Sequence, residues 1–110
     1  MTIIVTGGRD YKDRDKVFTE LEKLKPTLII EGGASGADRL AQRWAIASQI
    51  PFITYEADWD QHGKLAGPMR NRKMLTENPH ATVLAFPGDK GTANCVSTAL
   101  ALKMTVIKVV

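Results

Sequence analysis

The chain has few of the residues that build disulfides and metal sites. Its 110 residues include one cysteine, Cys95, and two histidines. A single cysteine excludes an intramolecular disulfide and a cysteine-based metal site, and a reducing compartment is its simplest setting. His62 and His80 have no partner at metal-ligand spacing. We therefore expect neither a metal site nor another cofactor.

Long apolar runs and strong charge are also missing. No run approaches the roughly 20 apolar residues needed to cross a membrane. The first apolar run, residues 3–5, leads straight into Gly7, Gly8 and Arg9, without the features of a secretory signal peptide. We therefore expect a cytoplasmic protein with no membrane partner. The net charge of +3 fits ligands that carry phosphate, but nucleic-acid binding would be better supported by a clustered basic stripe.

The apolar segments that are present are short, and they alternate with stretches of helical spacing. The predicted strands are Thr2–Thr6, Thr27–Glu31, Pro51–Tyr55, Ala81–Phe86 and Thr105–Val110. The predicted helices are Asp13–Lys25, Ser35–Ser48, Met69–Glu77 and Thr92–Lys103, with a long loop at Glu56–Pro68. Such alternation is typical of a parallel sheet covered on both faces. We predict a single three-layer, Rossmann-like α/β domain over residues 1–110, with about five parallel strands in an order such as 3-2-1-4-5.

Three turns that contain glycine follow three of these apolar runs. They are Thr6–Asp10, Gly32–Asp38 and Pro87–Thr92. In a parallel sheet the carboxyl ends of the strands meet at one edge, where helix N-termini direct backbone N–H groups at a ligand. Glycine removes Cβ atoms where a phosphate must approach the backbone. The sequence therefore predicts a pocket for a nucleotide or a nucleotide-derived ligand.

The predicted ligand contacts come mainly from these turns. They are Gly7, Gly8 and Arg9 in the first turn, Gly32, Gly33, Ser35, Gly36 and Asp38 in the second, and Gly88, Gly91 and Thr92 in the third. Arg9 suits bidentate phosphate binding, and the Ser35 and Thr92 hydroxyls can touch a phosphate or cap a helix. The glycines can instead serve tight turns alone, and Arg9 can form a surface ion pair. Trp59, in the long loop, either stacks on a base or plugs the side of the core.

Four segments have the order and composition of a known family. They are Val5–Asp10, Glu31–Asp38, Ala66–Arg72 and Ala85–Ala93. Together they resemble the SLOG superfamily of Rossmann-like proteins, in its YspA/YpsA-related branch. That superfamily includes the LOG phosphoribohydrolases, which cleave the N-glycosidic bond of nucleoside monophosphates, and the DNA-processing protein DprA. The resemblance covers nearly the whole chain and implies a nucleotide-related ligand and self-association into a homodimer.

The resemblance also extends to the segment before the fourth predicted strand. Met69, Arg72 and Lys73 match an upstream LOG motif, Met-x-x-Arg-Lys, so Arg72 is the first residue we expect to contact a phosphate or ribose. Its alternative is a salt bridge on its own helix. Asn71 either bonds the ligand or caps the local turn. Asp38 either contacts a ribose hydroxyl, as acidic residues do in dinucleotide sites, or interacts with the dipole of its own helix.

The resemblance fails at the third turn. The LOG motif continues from Pro-Gly-Gly-x-Gly-Thr to two glutamates, and here Asn94 and Cys95 stand in their place. A glycosidase needs a carboxylate near the developing oxocarbenium ion, which an amide and a thiol cannot supply. Candidates from other loops are Glu31, Asp38, Asp58 and Asp89. The sequence therefore favours a binding module, such as a sensor, over a nucleotide hydrolase or a DprA-like single-stranded nucleic-acid binder, and does not decide whether the protein is an enzyme.

Overall fold

In the computed structural model, which describes residues 1–110, five strands form one parallel sheet. The strands are β1 (Thr2–Thr6), β2 (Leu28–Glu31), β3 (Phe52–Thr54), β4 (Thr82–Ala85) and β5 (Val106–Lys108). Their order is β3-β2-β1-β4-β5, which confirms the predicted order. Ile4 pairs with Ile30 on one side and with Val83 on the other, and all three side chains are fully buried. The centre of the sheet is apolar on both faces because helices cover both.

The helices are α1 (Arg14–Leu24), α2 (Ala37–Ala47), α3 (Trp59–His62), α4 (Ala66–Glu77) and α5 (Lys90–Ala101). Leu21 of α1 and Trp44 of α2 belong to one core cluster, whereas Met74 of α4 and Ala99 of α5 belong to another. The two clusters lie on opposite faces of the sheet, so the three-layer α/β architecture is confirmed. None of the helices is both long and apolar enough to cross a membrane.

The prediction of a long loop at Glu56–Pro68 is wrong, because most of this segment is helical. Asp58 Oδ1 accepts a hydrogen bond from the Gln61 N–H at 3.1 Å and caps α3. A 3-10 turn (Gly63–Leu65) then leads directly into α4. Pro68 is consequently the third residue of α4 and not the first. The third position tolerates proline, because the first four N–H groups of a helix have no partner within the helix. Helix α3 and the 3-10 turn are too short to show an apolar period in the sequence.

Two helix starts also differ from the prediction. Helix α5 begins at Lys90, with Asp89 as its N-cap, so Thr92 lies inside the first turn. Helix α2 begins at Ala37 after Gly36, whose φ of 76° favours glycine. The Ser35 hydroxyl does not cap this helix and donates to the carbonyl oxygen of Arg9 at 3.2 Å. Neither predicted hydroxyl therefore acts as a cap.

The topology opens a crevice at the carboxyl edge of the sheet. The chain leaves β1 toward α1 on one face, and it leaves the neighbouring β4 toward α5 on the other. Diverging connections at adjacent strands form the position where open α/β sheets bind their ligands.

Candidate functional site

The crevice at the carboxyl edge holds a cavity of about 360 Å³, within the roughly 300–1,000 Å³ of small-molecule pockets. Its walls come from the turns after β1, β2 and β4 and from the segment that carries α3 and α4. Eight of the predicted contact residues line it: Gly7, Arg9, Gly32, Asp38, Trp59, Asn71, Gly91 and Thr92. The fold therefore brings all three glycine-bearing turns to one cavity.

The other six predicted contact residues do not line this cavity. They are Gly8, Gly33, Ser35, Gly36, Arg72 and Gly88. Three of these glycines lie where the turns contact one another. A Cβ on Gly36 would collide with the carbonyl oxygens of Gly8 and Arg9, and one on Gly88 would collide with the backbone nitrogen of Gly8 as well as with the Thr92 side chain. Their small size therefore serves the packing of turn against turn.

Arg70, and not Arg72, projects from α4 into the cavity. Arg72 is exposed on the outer side of the helix. Residues two apart on a helix point in nearly opposite directions. The Arg70 Nη1 group donates to the carbonyl oxygens of Gly32 and Tyr55, the latter at 3.4 Å. A helical phase counted back from the apolar Met74 would have selected Arg70, which lies four residues earlier on the same face.

Asn71 joins α4 to the first turn of α5. Its Oδ1 accepts from Arg70 Nε at 2.9 Å. Its Nδ2 donates to the Gly91 carbonyl oxygen at 3.3 Å and to Asn94 Oδ1 at 3.1 Å. Both the oxygen and the nitrogen of the amide are hydrogen-bonded within the protein. Asn71 therefore does not cap a local turn, and it holds α4 against α5 at the cavity wall. Asn94, which sequence reasoning treated only as a lost glutamate, also lines the cavity.

Two buried carboxylates occupy the backbone amides of the turn after β2. Asp38 Oδ2 accepts from the N–H groups of Gly32 and Ala34 at 3.1 and 3.3 Å. Glu31 Oε1 accepts from the Gly33 N–H at 2.8 Å, and its Oε2 accepts from the Thr54 hydroxyl at 2.7 Å. Three consecutive amides are thus satisfied within the protein. Contrary to the expectation from the sequence, they are not free to hold a phosphate.

Burial sets the protonation of these two groups. It raises the pKa of Asp38 to about 6, with Glu31 adding to the shift, and the hydrogen bonds from Ala34 and Gly32 and the charge of Arg70 only partly oppose it. Burial also raises the pKa of Glu31, against the hydrogen bonds from Thr54 and Gly33. Desolvation of the charged form outweighs its hydrogen bonds in both cases.

The rest of the cavity wall is predominantly cationic. Arg9, Lys64, Arg70 and Lys90 line it, against the carboxylates of Asp38 and Asp89. The first turn of α5 opens into the same space through Lys90, Gly91 and Thr92. A helix N-terminus favours negative charge. The wall formed by β1 and α5 can therefore stabilise an anion, in contrast to the turn after β2.

Trp59 lies at the mouth of the cavity and does not plug the core. It is 47% exposed. The Arg9 guanidinium lies 5.3 Å from the centroid of its ring. Gly67 lies against the six-membered ring of the indole, where a Cβ would approach Cη2 to 3.1 Å. The indole is thus held on two sides with part of its surface open.

The four candidate catalytic carboxylates differ in their placement. Asp58 caps α3, and Glu31 does not line the main cavity. Asp38 and Asp89 line it, although Asp89 also caps α5. Cys95 is fully buried in the core, and burial raises the pKa of its thiol to about 11. A thiolate nucleophile at this position is therefore excluded.

Comparisons with known proteins agree with this architecture. Residues 1–62 match the model of a protein family described as YspA, cpYpsA-related SLOG. The Gene 61 protein of Mycobacterium phage D29 is 35% identical in an alignment that is 109 positions long and covers 88% of this chain and 86% of that protein. The X-ray structure of TM1055, a structural genomics target, superimposes with a TM-score of 0.76 at 22% identity, covering 96% of this chain and 71% of that chain. At that identity the likeness to TM1055 shows the fold alone.

Proposed function

Because the chain belongs to the YspA, cpYpsA-related SLOG family, whose membership indicates a nucleotide-related function, we propose that it binds a nucleotide or a nucleotide-derived ligand. The site is the cavity at the carboxyl edge of the sheet, and the role is that of a binding module or sensor. One observation carries the proposal. An exposed aromatic side chain, Trp59, and the N-terminus of α5 with Lys90 line the same cavity.

The phosphate end of the ligand is assigned to the wall formed by β1 and α5. Lys90 occupies the first position of α5, where a cation opposes the helix dipole and so does nothing for helix stability. An anionic ligand would turn this arrangement into an attractive one. Arg9, from the turn after β1, also lines the cavity, but its guanidinium lies 5.3 Å from the Trp59 ring and so stands nearer the base end.

The base end of the ligand is assigned to Trp59. Stacking of a base on an aromatic side chain is worth about 1–3 kcal/mol and tolerates different bases. We expect Trp59→Ala to weaken nucleotide binding by roughly tenfold or more. Arg72→Ala is the matched control, because this exposed side chain on α4 does not line the cavity. Equal affinity of the two variants would contradict the assignment of Trp59.

Isothermal titration calorimetry against mono-, di- and cyclic nucleotides tests the proposal directly. We expect saturable binding of at least one member of the panel. Circular dichroism confirms that the protein is folded under the same conditions. A folded protein that binds no member of the panel at millimolar concentration would show that the cavity is not a nucleotide site.

A nucleotide hydrolase is the second candidate, and Asp38 is the observation that favours it. This carboxylate lines the cavity, and its pKa is raised to about 6, toward the range of a general acid at neutral pH. The assay follows release of free base from nucleoside monophosphates by chromatography. Turnover that is lost in Asp38→Asn would support an enzyme, whereas turnover unchanged in that variant would exclude Asp38 from the reaction.

A further inference from the structure

One oxygen of Asp38 is not used by the protein. Both amide hydrogen bonds that this carboxylate accepts, from Gly32 and Ala34, end on Oδ2. The Oδ1 atom accepts none. Since no fully enclosed side-chain oxygen or nitrogen of the protein lacks a hydrogen-bond partner, Oδ1 must keep some accessible surface. The residue is only 6% exposed, and it lines the cavity. A buried carboxylate oxygen therefore faces the cavity as a free hydrogen-bond acceptor.

The order of the strands places this acceptor between the two ends of the site. Along the edge of the sheet the strands follow as β3, β2, β1 and β4, spaced about 4.8 Å apart. Trp59 follows β3, Asp38 follows β2 by way of α2, and Lys90 follows β4. The edge thus presents Trp59 with the Arg9 guanidinium beside it, then a carboxylate, then Lys90 in the first turn of α5. A nucleotide presents a base, a ribose and a phosphate in the same order.

We propose that Asp38 makes this site selective for ribonucleotides, by accepting a hydrogen bond from a ribose hydroxyl on its free Oδ1. The inference rests on the proposed function and adds a specificity-determining residue to it. A site built to receive a hydroxyl discriminates strongly against an analogue that lacks it, because the buried polar group is then left unpaired. The fixed amides of Gly32 and Ala34 hold the carboxylate in place for this contact.

The ligand itself supplies the first test. Calorimetry at pH 7.5 compares the four ribonucleoside 5′-monophosphates with their 2′-deoxy and 3′-deoxy counterparts on the native protein. We expect loss of the contacted hydroxyl to weaken binding by about tenfold or more. If both deoxy series bind as tightly as the ribonucleotides, the inference is wrong while the proposed function stands. If no ribonucleotide binds at millimolar concentration, the proposed function fails and this inference fails with it.

Two matched variants locate the selectivity. In Asp38→Asn the amide oxygen can keep both backbone hydrogen bonds, while an NH₂ group replaces Oδ1 in the cavity. The NH₂ group can donate to the hydroxyl oxygen but cannot accept from the hydroxyl, so the charge-assisted hydrogen bond is lost and we expect the ratio of ribonucleotide to deoxynucleotide affinity to shrink severalfold. Glu31→Gln neutralises the neighbouring buried acid, which does not line the main cavity, and should leave the ratio unchanged.

Two outcomes with these variants would overturn the inference. The first is an Asp38→Asn protein that keeps the native preference for the ribonucleotide. The second is a loss of that preference in Glu31→Gln as well, because the effect would then follow from buried charge in general. Thermal melting checks that each variant is folded, and the comparison of nucleotides on the native protein needs no variant.

Discussion

Two glycine-rich turns of this protein look alike in sequence and differ in what their amides contact. In the turn Gly32–Asp38, after β2, two carboxylates of the protein satisfy three consecutive N–H groups. In the turn Pro87–Thr92, after β4, the one carboxylate is the N-cap Asp89, whose Oδ1 lies 3.4 Å from the Gly91 nitrogen. The first of these turns is held by the carboxylates of Asp38 and Glu31, and Asp38 presents a hydrogen-bond acceptor to the cavity. The second faces it with a helix N-terminus and Lys90.

This difference teaches that a glycine-rich turn after a parallel strand is not by itself an anion site. What decides is how many N–H groups of the turn already donate to acidic side chains of the protein: three after β2, and only the Gly91 N–H after β4. Asp38 stands six residues after Gly32 and reaches back to it. An acidic residue in the first turn of the following helix is therefore the feature to inspect before a phosphate is assigned to such a turn.

The largest expected effect comes from substituting one glycine in each of the two turns. Gly36 has a φ of 76°, and a Cβ there would collide with the turn after β1. Gly91 lies in α5, and a Cβ there would meet nothing within 4 Å. We expect Gly36→Ala to lower the free energy of unfolding by about 3 kcal/mol or more. Gly91→Ala should be neutral or stabilising by up to about 1 kcal/mol. Urea denaturation measures both, and similar losses would contradict the packing described for Gly36.

The second prediction concerns the internal anion of the turn after β2. The folded pKa of Asp38 is about 6, raised from an ordinary 3.8 by burial. A raised pKa means that the folded state binds the proton more tightly. The resulting stability is therefore fully present below about pH 4 and is lost as the pH rises through 6. Glu31 and Arg70 are the charged groups that face Asp38, and both remain in the variant Asp38→Asn.

The variant isolates this contribution. Two pKa units correspond to about 3 kcal/mol. We therefore expect the stability of Asp38→Asn relative to the native protein to increase by up to about 3 kcal/mol between pH 4 and pH 7. Urea denaturation at a series of pH values measures the difference. A difference that is independent of pH would show that Asp38 titrates normally in the folded protein.

The smallest expected effect concerns the nucleotide affinity contributed by Lys90, in the turn after β4. We expect Lys90→Ala to weaken binding of a nucleoside monophosphate by roughly three- to tenfold, and the loss should shrink as salt is added. Its stability should not fall, since a cation at a helix N-terminus opposes the dipole. Lys73→Ala, an exposed lysine on α4 that does not line the cavity, is the control. An equal loss in both variants would point to overall charge and not to this turn.

The sequence predicted the framework of the fold because its signals are local. Runs such as Thr2–Thr6 are β-branched and apolar on both faces, which identifies a central parallel strand. The loop Glu56–Pro68 was predicted wrongly because α3 is only one turn long and is set by a single cap, Asp58, and not by an apolar period. The choice of Arg72 over Arg70 rested on a motif without the helical phase that decides which side chain faces inward.

The chemistry of the candidate site was only partly predictable. The sequence identified the three turns that meet at the cavity, since strand order alone brings them there. It did not reveal that Asp38 and Glu31 occupy the amides of the turn after β2. That result depends on how a side chain folds back across six residues, and on the burial that raises the pKa of Asp38. Neither has a signature in residue spacing.

The contact between the three turns has a consequence for how the site can change in evolution. Gly8, Gly36 and Gly88 leave no space between the turns, so an inserted residue in any one of them would push the others apart. Residues 60–65 are free of this constraint, since a Cβ on Gly63 would meet nothing within 4 Å and Leu65 is largely exposed. Insertions and deletions among homologues should therefore concentrate between β3 and α4. That wall can be remodelled for new ligands while the other three keep a constant length.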